Sequence, residues 1–255
     1  MHVRLLPSAC GEPGGEPQFL SSYLVGDAIA IDAGSVGLQA DLELQRRVRH
    51  VFLTHAHLDH VASLPLLVEN TYTPGPDCLE VLASADTLAQ VRGDLFNDRT
   101  WPDFFRLSTR DDAFVTGTRL EPLATVERAG CRITPVPVSH SCETLAMVVD
   151  DGSSCVAFAA DTGPTELLWQ ELARRPTLRG VFLECSFPNS LRELATRTGH
   201  LCPATFAGQL ARLPAEVRVF AVHGKVGHAD AIGRELAALG ESRVALVRPG
   251  VSYDL

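Results

Sequence analysis

Seven consecutive residues, Thr54-His-Ala-His-Leu-Asp-His60, restrict this chain more than any other stretch. They follow Val51-Phe-Leu53, an apolar run that reads as a buried strand. In extended chain, positions i and i+2 point to the same side, so His55 and His57 can share one metal. Asp59 and His60 come where the chain must turn into a helix expected to begin near Val61. They therefore point elsewhere, towards a second metal beside the first. The His-Glu-x-x-His pattern is different, because its two histidines lie i, i+4 along one helical face. Here the ligands are expected on a loop. Three histidines and an aspartate within six positions are hard to explain as packing, since buried polar groups need partners.

A dinuclear site needs further ligands, each emerging after another strand. Three residues meet that condition: His140 ends the run from Ile133, Asp161 ends the run from Cys155, and His223 ends the run from Val217. The expected assignment is His55, His57 and His140 on a first metal, Asp59, His60 and His223 on a second, and Asp161 bridging the two. Nitrogen and carboxylate donors suit two divalent ions, zinc foremost, and manganese or iron can occupy the same cage.

The rest of the chain reads as one domain spanning residues 1–255. Its composition, 45% hydrophobic and 21% charged, is ordinary for a globular protein, and no repeat or Pro/Ser linker divides it. The first third is strand-rich, with a hairpin pattern in which Ser21 to Val25 and Ala28 to Ile31 flank a Gly26-Asp27 turn. Strands then alternate with helices, expected within 61–69, 85–96, 166–174, 204–213 and 229–239. That order suits an α+β fold of two mixed β-sheets sandwiched between helices, with loops at one edge gathering distant residues.

Seven scattered cysteines without a Cys-x-x-Cys pair argue against a disulfide framework or a thiolate zinc knuckle. Cys142 alone lies close to an expected ligand. The formal charge of −9 disfavours binding along extended nucleic acid, which depends on many Lys and Arg contacts to phosphates. A small phosphorylated substrate stays open, because two divalent metals would reverse the local field. Met1 to Pro7 lacks the apolar run of a secretory signal, and no stretch approaches the roughly 18 apolar residues of a membrane span. A cytoplasmic protein without membrane partners is expected, and a homodimer stays open.

His55-x-His-x-Asp-His60 with downstream His140, Asp161 and His223 resembles the metallo-β-lactamase superfamily over nearly the whole chain. Within it, the stretch from His55 to Leu64 resembles the class II 3',5'-cyclic nucleotide phosphodiesterases, which usually carry Gly where this chain has Ser63. Gln18 to Leu24, Ile31 to Ser35, Trp101 to Phe104, Glu184 to Asn189 and His223-Gly-Lys225 are similar to the same group. His200 precedes Pro203, a good first-turn residue, and so falls just before a helix N-terminus that favours an anion. This resembles the histidine that serves the scissile phosphate in ribonuclease Z-type phosphodiesterases.

The resemblance implies the αββα sandwich of the superfamily and hydrolysis of cyclic AMP or cyclic GMP to the 5'-monophosphate. A hydroxide shared by two metals would attack phosphorus, and His200, or secondarily Asp59, would protonate the leaving oxygen. Asp32 and Glu184 are candidates for orienting metal-bound imidazoles. Trp101, Phe104, Asn97 and Asp103 are candidates for base recognition, and Lys225 for a phosphate oxygen. Competing readings are a ribonuclease Z-like enzyme, a lactonase, thioesterase or β-lactamase, and a metal-binding protein without activity.

Overall fold

The computed structural model describes residues 1–8 and 20–255, so Cys10 and the Gln18-Phe19 start of one similar stretch lie outside the described residues. In chain order the strands are β1 (His2–Leu5), β2 (Tyr23–Val25), β3 (Ile29–Ile31), β4 (His50–Phe52), β5 (Leu79–Ala83), β6 (Val115–Arg119) and β7 (Val126–Arg128). There follow β8 (Cys131–Pro137), β9 (Leu145–Asp150), β10 (Cys155–Phe158), β11 (Leu178–Glu184), β12 (Arg218–Val222), β13 (Val244–Leu246) and β14 (Ser252–Asp254). They form two mixed seven-stranded sheets, one in the order β14-β1-β2-β3-β4-β5-β6 and the other β13-β12-β11-β10-β9-β8-β7.

Side-chain alternation along each strand builds the layers. Phe52, Phe182 and Phe220 enter the core between the sheets, whereas their neighbours Val51, Leu53, Val181, Leu183, Val219 and Ala221 face outer layers. Strands buried on both faces read as the continuous apolar runs seen in the sequence. Phe158, Phe182 and Phe220 stack in series across the second sheet, with centroids 5.1 and 4.7 Å apart. The outer layers are helical: Leu64–Thr71 packs on the first sheet, and Leu167–Leu172, Pro203–Leu210 and Ala229–Ala237 pack on the second.

One expectation at the metal motif is corrected. The helix starts at Leu58, not near Val61, and Asp59 and His60 occupy its first turn. His57 is its extended N-cap residue, and the His60 amide donates to the His57 carbonyl at 2.9 Å. The turn is short, ending at Val61, and a second helix follows at Leu64 with Pro65 in its first turn.

Glu80 on β5 ties the two sheets at their rim. Its carboxylate accepts from Arg128 Nε and Nη2 at 2.6 and 2.8 Å, from Thr118 Oγ1 at 2.6 Å, and meets His50 Nδ1 at 2.9 Å. The Arg128 guanidinium, against partial burial, holds its carboxyl down at about 2. A carboxyl depressed in the folded state stabilises fully above its unfolded value, and that contribution fades as pH falls through the folded value. Glu80→Gln is therefore expected to cost about 1.5 kcal/mol near pH 7, from a charge-assisted hydrogen bond, or roughly 3–6 °C of Tm. Thermal melts at pH 7 and pH 3 check this: the gap between variant and parent should shrink at the lower pH.

Candidate metal centre

The strands deliver polar residues to one edge of both sheets. His55 and His57 follow β4, His140 follows β8, Asp161 follows β10 and His223 follows β12. Three residues at this edge, Asp32, Ala160 and His223, have φ of 61, 58 and 60°. Left-handed backbone costs a non-glycine residue about 1–3 kcal/mol and persists where the surroundings enforce it, commonly at functional sites.

Gly34 shows how tightly the edge is assembled. A Cβ there would lie 2.1 Å from the Asp59 carbonyl oxygen and 2.7 Å from the Ser21 nitrogen. Those two atoms are hydrogen-bonded to each other, Ser21 N–H donating to Asp59 O at 2.8 Å. Gly34→Ala must displace backbone and is expected to cost about 2 kcal/mol, or roughly 4–8 °C of Tm, read by calorimetry. Ser63 is buried and satisfied: its hydroxyl donates to the Ala33 carbonyl at 2.8 Å and accepts from Gly37 N–H at 2.9 Å.

All seven expected ligands converge. One group of donors is Asp59, His60, Asp161 and His223, and another is His55, His57 and His140 with Cys142; within each group the donor atoms lie within 4.8 Å of one another. Asp161, 2% exposed, lies between them. Its Oδ1 is 3.4 Å from His60 Nε2 and 3.3 Å from His223 Nδ1, while its Oδ2 is 3.8 Å from His55 Nε2 and 3.9 Å from His140 Nε2. Asp59 Oδ2 is 3.1 Å from His223 Nε2 and 3.8 Å from Lys225 Nζ.

The cluster is unsatisfied in a way that fits cations. His55 Nε2 and His60 Nε2 are buried without a hydrogen-bond partner. A buried polar atom left in that state costs about 1–3 kcal/mol, and both nitrogens face Asp161. Burial, with His60 charge adding, pushes His55 down to about 2. Burial also lowers His57 and His140. Burial opposes ionisation of Asp161, yet His223 and His60 hold it well below the ordinary range. His60 is raised against burial by Asp161 and Asp32. His55, His57 and His140 are thus held bare beside an ionised carboxylate, the state in which such residues bind divalent metals, whereas His60 must shed its proton to do so.

The sequence expectations for the surrounding groups divide. Asp32 does orient a clustered imidazole, its Oδ2 accepting from His60 Nδ1 at 2.7 Å. Glu184 instead holds His200, whose Nδ1 donates to Oε1 at 2.6 Å, and it also accepts from Thr162 N–H, Leu201 N–H and the Ser186 hydroxyl. Burial lowers and Glu184 raises His200, with the net direction upwards. The His200 ring lies 4.9 Å from that of His140 and 5.8 Å from that of His223.

The aromatic cluster offered for base recognition is core. Phe104 and half-buried Trp101 pack with Phe96 in the outer layer of the first sheet, while Asn97 and Asp103 cap local turns. Sequence reasoning missed Thr54 and the Gly199 carbonyl, which bind outward nitrogens of His55 and His140 at 3.0 Å each, and Ser186, whose hydroxyl lies 3.1 Å from His223 Nδ1. Hydroxyls and carbonyls of this kind carry no distinctive spacing. Among the described residues, a groove of about 600 Å³ opens beside His223, lined by Val226, Ile232, Arg234, Leu246 and Arg248 among others.

Two curated relatives match about two thirds of the chain. A probable 3',5'-cyclic-nucleotide phosphodiesterase of Yersinia pestis is 26% identical over 186 residues, covering 66% of this chain and 52% of the relative. A 3',5'-cyclic-nucleotide phosphodiesterase of Aliivibrio fischeri is 27% identical over 189 residues, covering 67% and 54%. The matched part thus spans about half the length of those relatives. The crystal structure of unliganded yeast PDE1 superposes with a TM-score of 0.79 over 100% of this chain and 99% of that one, at 17% identity, a likeness of fold. The model of the beta-lactamase superfamily domain matches residues 29–223. That span opens at β3 and closes on His223, enclosing all seven clustered residues, and the chain belongs to the metallo-β-lactamase superfamily.

Proposed function

We propose that this chain hydrolyses a 3',5'-cyclic nucleotide to the 5'-monophosphate at a two-metal centre. His55, His57 and His140 would hold one ion, Asp59, His60 and His223 the other, with Asp161 shared, and zinc suits these nitrogen and carboxylate donors best. When bound, such ions polarise a phosphoryl oxygen and acidify water towards neutral pH. The relatives' names point to the substrate class.

The observation that carries the reading is His200, buried beside the cluster and tied through Nδ1 to Glu184. An opening phosphodiester ring needs a cation near its equatorial oxygens and a proton for the departing 3'-oxygen. Glu184 fixes Nδ1–H and supports the imidazolium, leaving Nε2 to donate that proton. Asp59, held below the ordinary carboxylate range despite burial by His223 and His60, stays an acceptor and suits metal binding better than proton donation. The groove beside His223 offers the nucleoside apolar walls with two guanidinium groups.

Turnover of cyclic AMP, cyclic GMP, bis(p-nitrophenyl) phosphate, a lactone, a thioester and a β-lactam should be compared before and after chelation. Phosphodiester activity that disappears with EDTA and returns with zinc is expected. Activity confined to the acyl substrates would overturn the proposal.

A further inference from the structure

Three of the five clustered imidazoles have a nitrogen tied by an outward partner of definite polarity. His60 Nδ1 donates to Asp32 and His140 Nδ1 to the Gly199 carbonyl. Thr54 spends its hydroxyl proton on Asp32 and so accepts from His55 Nδ1. Such partners select the tautomer of a ligand histidine and aim its other nitrogen. His223 differs, with Ser186 Oγ and Asp161 Oδ1 at 3.1 and 3.3 Å from Nδ1 and Asp59 Oδ2 at 3.1 Å from Nε2, so that both its nitrogens face oxygen.

His57 has two choices. Its Nδ1 lies 3.4 Å from His140 Nε2, and its Nε2 lies 3.8 Å from Cys142 Sγ. Because His140 carries its proton on Nδ1, its Nε2 is bare. A proton on His57 Nδ1 would be drawn to that nitrogen and would close the first metal pocket, whereas a proton on Nε2 leaves Nδ1 open beside His140 Nε2. The buried, unpartnered His55 Nε2 belongs to the same donor group. Cys142 is itself held, with Thr144 Oγ1 at 3.7 Å from its sulfur and donating to its carbonyl at 3.1 Å.

We propose that Cys142 is the positioning residue of the first metal pocket: its sulfur accepts the His57 Nε2–H and so turns a bare Nδ1 towards the metal. The inference rests on the two-metal reading. It makes Cys142 an outer anchor and not a fourth ligand, although its sulfur lies close enough to the histidines to be mistaken for one.

The test uses the full chain and cobalt or zinc alone. In chelator competition, Cys142→Ala should bind one of two metal equivalents about 10–100-fold more weakly. The other equivalent should be unchanged, and Cys142→Ser, which keeps an acceptor, should recover most of the loss. The cobalt protein should lack a sulfur-to-cobalt charge-transfer band. Nitrogen-15 spectra of the zinc protein should show a His57 Nε2–H resonance that Cys142→Ala removes. Equal affinity in the parent and Cys142→Ala overturns the inference, as does a charge-transfer band. A parent chain that binds no metal overturns the two-metal reading as well, so the two failures are separable.

Discussion

Replacing Asp161 with asparagine is expected to lower phosphodiester turnover at least ~10³-fold, a barrier change of about 4 kcal/mol, and to deplete bound metal. Asparagine keeps the volume and one oxygen but loses the charge. Asp161 faces His60 and His223 through one oxygen and His55 and His140 through the other, so no other carboxylate can replace it in place. Metal-ion stabilisation of a developing charge is worth several kcal/mol, which sets the scale. Elemental analysis and turnover on one preparation decide the matter. A variant with two metals and near-parental rate would refute the bridging role.

His200→Ala should leave metal content intact while kcat falls by about 10²–10⁴, the usual worth of a positioned general acid. The two effects are separable because one ring nitrogen of His200 is already held by Glu184 at 2.6 Å, outside the set of residues proposed to carry the metals. Glu184→Gln keeps an acceptor for Nδ1–H but removes the charge that favours the imidazolium. A smaller loss is expected there, on the order of tenfold, again in kcat and not in KM. If His200→Ala loses metal in proportion to activity, the residue is part of the metal cage instead.

The site was legible where chemistry and periodicity coincide. His140, Asp161 and His223, each closing an apolar run, all emerge at the site edge. The edges were less legible. β1, β6, β7 and β14 are short or partly exposed, so their patterns do not stand out, and their pairing depends on partners distant in sequence: β14 meets β1 across the whole chain. The helix beginning at Leu58 was misplaced because its first turn carries ligands, not an apolar stripe. Glu184 was legible as a site residue, but strand-end position says nothing about which ring a carboxylate reaches, and here it is that of His200. The aromatics around Trp101 were ambiguous because a base pocket and a core use the same side chains.

The two sheets contribute different donors to one edge, His55, His57, Asp59 and His60 from the first and His140, Asp161 and His223 from the second. No nascent half of the chain holds a complete cage. If the centre is loaded as proposed, each ion draws donors from both sheets and so acts as a clasp across their shared edge.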